Sequence, residues 1–235
     1  MPPEPLLDVR NLSVELRPQS QMVLRSVSLQ IPEASIVGLC GRSGSGKTTL
    51  ALALLNLLPP SKYRVSGEIR LEGRELTSLP ERQWESVRGA GVAMIFQDPL
   101  LALNPVLRVR TQIAEVLRAH QVERDPADLL KLTGIAAPAR ILEAYPHELS
   151  GGERQRVTIA QALACGPRLI IGDEPFTALD GPRTVELAAL FRRLRDTLGT
   201  SFLLIGHHSG TLALTADRML TLSDGALVDE AACAG

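Results

Sequence analysis

The chain has 235 residues, 45% of them hydrophobic and 22% charged, an ordinary globular balance and length enough to bury a core without metal or disulfide staples. Lysine and arginine number 25 against 26 aspartates and glutamates, for a net charge of -1, and aromatic residues make up only 3%. Binding along a nucleic-acid backbone draws on a surplus of cations and on stacking rings, and this composition supplies neither.

The N-terminal stretch MPPEPLLDVR has no basic segment followed by an apolar one, so no secretory signal is legible. Residues 1–31 and 66–72 carry alternating patterns (Leu12, Val14, Leu16; Ile69, Leu71) that predict an antiparallel β-layer. Ser35 to Cys40 is a compact apolar run ending in glycine, a buried strand entering a loop. Lys47 to Leu58 predicts a helix stopped by Pro59 and Pro60. Its segment Leu50 to Leu58 is the longest nearly apolar stretch, far short of the ~18 residues a membrane-spanning helix needs. Further buried strands are predicted at Val92 to Phe96, Arg168 to Gly172 and Ser201 to Ile205. Residues 106 to about 165 give only helical signals, including Ile113, Val116, Leu117, Leu129, Leu130 and Leu132. Pro182 to Leu198 predicts a helix with Leu187, Leu190, Phe191 and Leu194 on one face and Arg192, Arg193 and Arg195 on a solvated one. Cys40, Cys165 and Cys233 are dispersed, with no Cys-x-x-Cys pair, which points to a reducing compartment and neither a disulfide framework nor a zinc site. The expected fold is α/β, with a mainly parallel sheet, an antiparallel β-layer and a helical insertion at about 106–165, all in one domain over 1–235.

Gly41-Arg42-Ser43-Gly44-Ser45-Gly46-Lys47-Thr48 matches the phosphate-loop pattern G-x-x-x-x-G-K-[ST], placed between a strand and a helix as that loop requires. Glycines let the backbone curl so that several N–H groups face one anion, and the helix after the loop adds its positive dipole end. Lys47 is then within reach of the outer phosphates, the Thr48 hydroxyl of Mg²⁺, and Thr49 of the α-phosphate. A second acidic site comes after the apolar run Leu169-Ile170-Ile171-Gly172: Asp173 is placed to hold Mg²⁺ through a water, and Glu174 to polarise an attacking water. These two sites alone would also suit a small kinase or a GTPase.

The stretch Leu149-Ser150-Gly151-Gly152-Glu153 separates the options, because it resembles the signature motif of ATP-binding cassette (ABC) transporter ATPase subunits. The order of motifs is similar too: Gln97 in Phe96-Gln97-Asp98-Pro99 resembles the Q-loop, Ala178-Leu179-Asp180 the D-loop, and His207 the switch histidine. The resemblance runs from about Leu6 to Val228 and implies the ABC ATPase fold, with a phosphate-loop core and a helical signature subdomain. It implies ATP and Mg²⁺ as ligands, with Thr48, Gln97 and Asp173 around the metal and Glu174, His207 and Gln97 in hydrolysis. It also implies a second ABC ATPase chain, identical or different, whose ATP meets Leu149 to Glu153. His120 and His147 are read as having no chemical role.

Within the family the likeness is to the peptide and nickel import group, carried by Phe96 to Val106, Tyr145 to Gly152 and Val65-Ser66-Gly67-Glu68-Ile69. This implies a peripheral ATPase on the cytoplasmic face of the inner or plasma membrane, coupled to two permease subunits and indirectly to a substrate-binding protein, with no nucleic acid. The cargo would be peptides or nickel and metallophore complexes, and the shortness of the chain tilts the expectation toward the latter. The rival expectation is a soluble ABC ATPase acting on nucleic acid or ribosomes. Three departures stand out: Leu16 where an aromatic usually stacks on adenine, and Gly206 and His208 flanking the switch histidine.

Overall fold

The computed structural model describes residues 4–177 and 179–232; Ala178 and Cys233 lie outside the described residues. Strands β1 (Leu7–Leu16) and β2 (Gln21–Ile31) form a hairpin, and β3 (Ile36–Cys40) leads into helix α1 (Lys47–Leu54). Next come β4 (Tyr63–Leu71), β5 (Arg74–Glu75), α2 (Glu81–Val87) and β6 (Val92–Ile95). A run of helices comes after β6: α3 (Pro99–Ala102), α4 (Val109–Ala119), α5 (Pro126–Leu132), α6 (Pro138–Glu143), a 3-10 turn over Pro146–Glu148, and α7 (Gly151–Leu163). The remainder is β7 (Leu169–Asp173), α8 (Gly181–Leu198), β8 (Ser201–Gly206), α9 (Ser209–Ala213), β9 (Arg218–Ser223) and β10 (Ala226–Ala232).

Among the described residues the strands form two sheets, an antiparallel one ordered β2-β1-β4-β5 and a larger one ordered β10-β9-β3-β8-β7-β6. In the larger sheet β9, β3, β8, β7 and β6 run parallel, and β10 pairs antiparallel with β9. The central strands are apolar over most of their length because both faces are covered. Alternate residues go to opposite sides: Leu39, Ile171 and Leu203 pack toward the antiparallel layer and α1, with Leu12, Leu24, Leu50 and Leu54. Ile36, Ile170, Phe202 and Leu204 face α8, where Leu187, Leu190, Phe191 and Leu194 form the predicted apolar stripe. The 106–165 region has its own core, including Ile113, Leu130, Ile141 and Val157.

Two local expectations are corrected. Helix α1 ends at Leu54, before the two prolines, because Asn56 takes a left-handed φ of 51°. The Asn56 N–H bonds the Ala53 carbonyl at 3.1 Å and the Leu57 N–H the Leu52 carbonyl at 2.9 Å, which closes the helix end with its own backbone. Arg195 is not merely a solvated residue: its guanidinium meets Asp217 Oδ1 at 2.6 Å, while Asp217 Oδ2 accepts the Ile36 N–H at 2.7 Å and ties α8 to the start of β3. Arg192 and Arg193 are exposed as expected.

Parallel pairing brings the strand ends level. Cys40 pairs with Gly206, Asp173 with Ile205, and Ile95 with Gly172, so the C-terminal ends of β3, β6, β7 and β8 lie along one edge. Phe191 is fully buried with its ring 5.3 Å from Phe202 and 5.9 Å from Phe176, both edge-on. Phe191→Ala is expected to cost about 3–5 kcal/mol, read as a lower midpoint in denaturant unfolding.

Candidate functional site

The segment 41–48 curls over the end of β3. Gly44 and Gly46 take φ of 80° and 104°, a region that favours glycine, and a Cβ on Gly41 would lie 2.3 Å from the Leu222 carbonyl oxygen. Gly46 caps α1 without a side-chain acceptor, so the first amides of that helix face the loop interior free of a local carboxylate or hydroxyl. Lys47 is buried and donates to the Gly41 and Arg42 carbonyls at 2.8 and 2.9 Å, which sets its ammonium inside the curl. Arg42 and Ser43 are exposed at the tip, Ser45 is buried and its Oγ has no partner, and Thr49 is half-buried. A cradle with an unpartnered buried hydroxyl, free amides and an inward ammonium is built for a polyanion.

The loop is joined to β7 by one hydrogen bond: Thr48 Oγ1 donates to Asp173 Oδ2 at 2.9 Å. The other oxygen, Asp173 Oδ1, is buried without a partner. Burial is the main force pushing the Asp173 carboxyl above its usual range; the Thr48 hydroxyl opposes this, the charge of Glu174 adds to it, and Lys47 opposes it further. Among the described residues no cluster of three His, Cys, Asp or Glu side chains forms a metal site. What Thr48, Asp173 and Gln97 offer is hydroxyl, carboxylate and amide oxygen, a donor set suited to a hard divalent cation, and the orphaned Oδ1 fits such a ligand.

Glu174 is the next residue along the chain, and three groups approach its Oε2, two hydrogen-bond donors and an imidazole nitrogen. The Thr177 hydroxyl lies at 2.8 Å, His207 Nδ1 at 3.2 Å and the Gln97 amide nitrogen at 3.5 Å. The expected trio of Glu174, His207 and Gln97 is therefore brought together from the ends of β7, β8 and β6. Thr177 joins them without having been expected; its only signal in the sequence is a hydroxyl three residues after the glutamate. His207 and His208 lie with ring centroids 4.0 Å apart, and His208 heads α9. Gly206 could carry a Cβ at ordinary contact distance, 3.4 Å from Leu212, so local sterics do not demand glycine there. Leu16 is half-buried at the end of β1 and pairs with Tyr63 of β4.

The remaining motif stands apart: among the described residues no hydrogen bond joins Ser150–Glu153 to residues 41–49. Ser150 caps α7, its Oγ accepting the Glu153 N–H at 3.2 Å while Glu153 Oε2 accepts the Ser150 N–H at 2.8 Å. That backbone hydrogen bond is the main cause holding the Glu153 carboxyl below its usual range, and Arg140 pairs with its other oxygen. Leu149 is turned into the helical core, where its side chain anchors the motif. Gly151 and Gly152 border open space, since a Cβ on either would meet nothing within 4 Å. Asp180 caps α8 within the chain, its Oδ1 accepting the Arg183 N–H at 2.9 Å.

The ABC transporter family profile matches residues 24–177. The chain is similar to the probable peptide ABC transporter ATP-binding protein y4tR of Sinorhizobium fredii (strain NBRC 101917 / NGR234), 42% identical over 96% of this chain and 70% of that one. It is similar to the oligopeptide transport ATP-binding protein OppD of Bacillus subtilis (strain 168), 38% identical over 95% of this chain and 65% of that one. With the peptidoglycan transport ATP-binding protein YejF of Agrobacterium fabrum (strain C58 / ATCC 33970) it shares 41% identity, over 96% of this chain and 43% of that one. Among solved structures, the dimeric cassette MJ0796 of a bacterial ABC transporter superposes with a TM-score of 0.82 at 25% identity, over 97% of this chain and 99% of that one. The expected fold is the one observed.

The raised Asp173 carboxyl has a stability consequence. Its contribution is complete below the ordinary value of 3.8 and is lost as pH rises through the elevated folded-state value, so at neutral pH the ionised group burdens the fold. Asp173→Asn is expected to melt at a higher temperature than the parent at neutral pH without divalent cation. Thermal unfolding should show that gap closing as the pH falls toward 3.8.

Proposed function

The chain belongs to the ABC transporter family as an ATPase cassette, and from that premise we propose that it is the ATP-hydrolysing subunit of a peptide importer. The convergence of Gln97, Thr177 and His207 on one oxygen of Glu174, next to the Thr48–Asp173 pair, is the observation that carries this reading. Residues 41–49 bind the phosphates of ATP through backbone amides and Lys47. Thr48, Gln97 and Asp173, the last through a water, would hold Mg²⁺, which neutralises charge on the outer phosphates when bound. Glu174 commits Oε2 to protein donors, which leaves Oε1 to take the proton of the attacking water. His207 holds Glu174 from one side and is placed to meet the γ-phosphate and position that water.

Ser150, Gly151 and Gly152 do not serve this chain's own phosphate loop, and their glycines relieve no clash within the chain. A glycine pair at a helix N-terminus, facing open space, suits close approach by an anion from outside. We assign this face to the ATP of a second cassette, with Asp180 at the same junction. Exposed Phe96, Leu100, Leu101 and Val106 surround the Gln97 loop and offer the permease subunits an apolar landing. Among the described residues no helix is long and apolar enough to cross a membrane; the place of the chain on the cytoplasmic face belongs to the importer reading itself. The relatives described carry names of peptide, oligopeptide and peptidoglycan transport, which supports the peptide branch of the expectation. They do not favour the nickel and metallophore branch or action on nucleic acid or ribosomes.

Glu174→Gln removes the base and keeps the shape. It is expected to lower ATP turnover by roughly 10²–10⁴-fold and to accumulate an ATP-bound dimer on size exclusion. Hydrolysis at the parent rate in that variant would overturn the assignment.

A further inference from the structure

Glu174 is a non-glycine residue at φ 50°, a conformation that persists only when its surroundings hold it. Its N–H donates to the Ile205 carbonyl of β8 at 2.9 Å, and the Thr177 N–H closes a turn onto the Glu174 carbonyl at 3.1 Å. The same Thr177 places its hydroxyl on Oε2 at 2.8 Å, the shortest of the three contacts to that oxygen. The middle of the turn is pinned from two sides. Phe176 rests edge-on against Phe191 in the core, and the Gln155 side-chain amide, from helix α7, donates to the Pro175 carbonyl. Gln155 lies four residues after Gly151 and so on the same helix face as the open N-terminal glycine.

Two cavities flank this turn. One, of about 210 Å³, is lined by Glu174, Thr177 and His207; the other, of about 340 Å³, is lined by Ser150, Gly152 and Gln155. Leu179 lines both. Leu179 is therefore the wall shared by the hydrolytic corner and the open face of α7.

We propose that Gln155 and Thr177 are positioning residues through which α7 sets the orientation of the Glu174 carboxylate in its own chain. This rests on the reading of Glu174 as the base and of Ser150–Gly152 as the face for a second cassette's ATP. On that reading one nucleotide meets the N-terminus of α7 and the other is hydrolysed beside Glu174, and the Gln155–Pro175 hydrogen bond joins the two. A shift of α7 moves the donor to the Pro175 carbonyl, and with it the turn whose Thr177 hydroxyl keeps Oε2 occupied and Oε1 toward the water.

The test uses the purified full chain and steady-state ATP hydrolysis. Thr177→Val keeps the shape and loses the hydroxyl. It is expected to lower kcat roughly ten- to hundredfold, as removal of a hydrogen bond to a charged group does, while KM for ATP stays within about twofold. Thr177→Ser restores most of the rate. Gln155→Leu is expected to lower kcat in the same way, and the double variant Gln155→Leu with Thr177→Val to lose about as much as one change alone. Equal rates for the valine and serine variants would overturn the proposal, as would losses that multiply in the double variant. If Gln155→Leu fails to fold, as judged by its melting curve, the Thr177 pair decides alone. Glu174→Gln, run in parallel, separates the two levels: full turnover there removes the base assignment itself. A silent Glu174→Gln beside a fully active Thr177→Val removes only the positioning role.

Discussion

One hydrogen bond, from the Thr48 hydroxyl to Asp173, joins the two halves of the site, and the parallel sheet exists in the register that allows it. β3 delivers the phosphate loop and β7 delivers the carboxylates, with β8 between them. Pairing of Cys40 with Gly206 and of Asp173 with Ile205 brings both strand ends to the same height. A slip of one residue in either ladder would turn every side chain to the opposite face and bury the wrong set. The apolar stretches 36–40, 169–172 and 201–206 therefore position the polar groups of the site without being part of it.

Asp173 shows the cost of this arrangement. A carboxylate held in a buried position with one oxygen unpartnered is unfavourable for the resting fold, and burial outweighs the Thr48 hydrogen bond in setting its protonation. Stability is given up where ligand binding can recover it. The left-handed backbone at Glu174 belongs to the same pattern, local strain maintained by a well-packed surround.

The phosphate loop and the Asp173-Glu174 pair were legible in the sequence because their chemistry needs contiguous residues of fixed type. The layers were legible too, since apolar runs and alternating runs differ at a glance. Other features were not. Pro59 and Pro60 drew the end of α1 too far along, because the left-handed Asn56 stops the helix first, and single-residue conformations of that kind leave no periodic trace. Leu149 belongs to the signature by sequence, yet it faces inward because the 3-10 turn at Pro146–Glu148 directs it so. Thr177 reaches Glu174 only through the unusual φ of the glutamate, which propensity does not foretell. Arg195 looked like one more surface arginine until the fold brought Asp217 beside it.

The reciprocal hydrogen bonds between Ser150 and Glu153 have a consequence for association. Because the first turn of α7 is held by its own capping pair, with Leu149 fixed in the core behind it, that segment loses its conformational freedom when the chain folds. Docking against another molecule then has little left to freeze at this point, so the entropy charged to complex formation is smaller and more of the contact free energy appears as affinity.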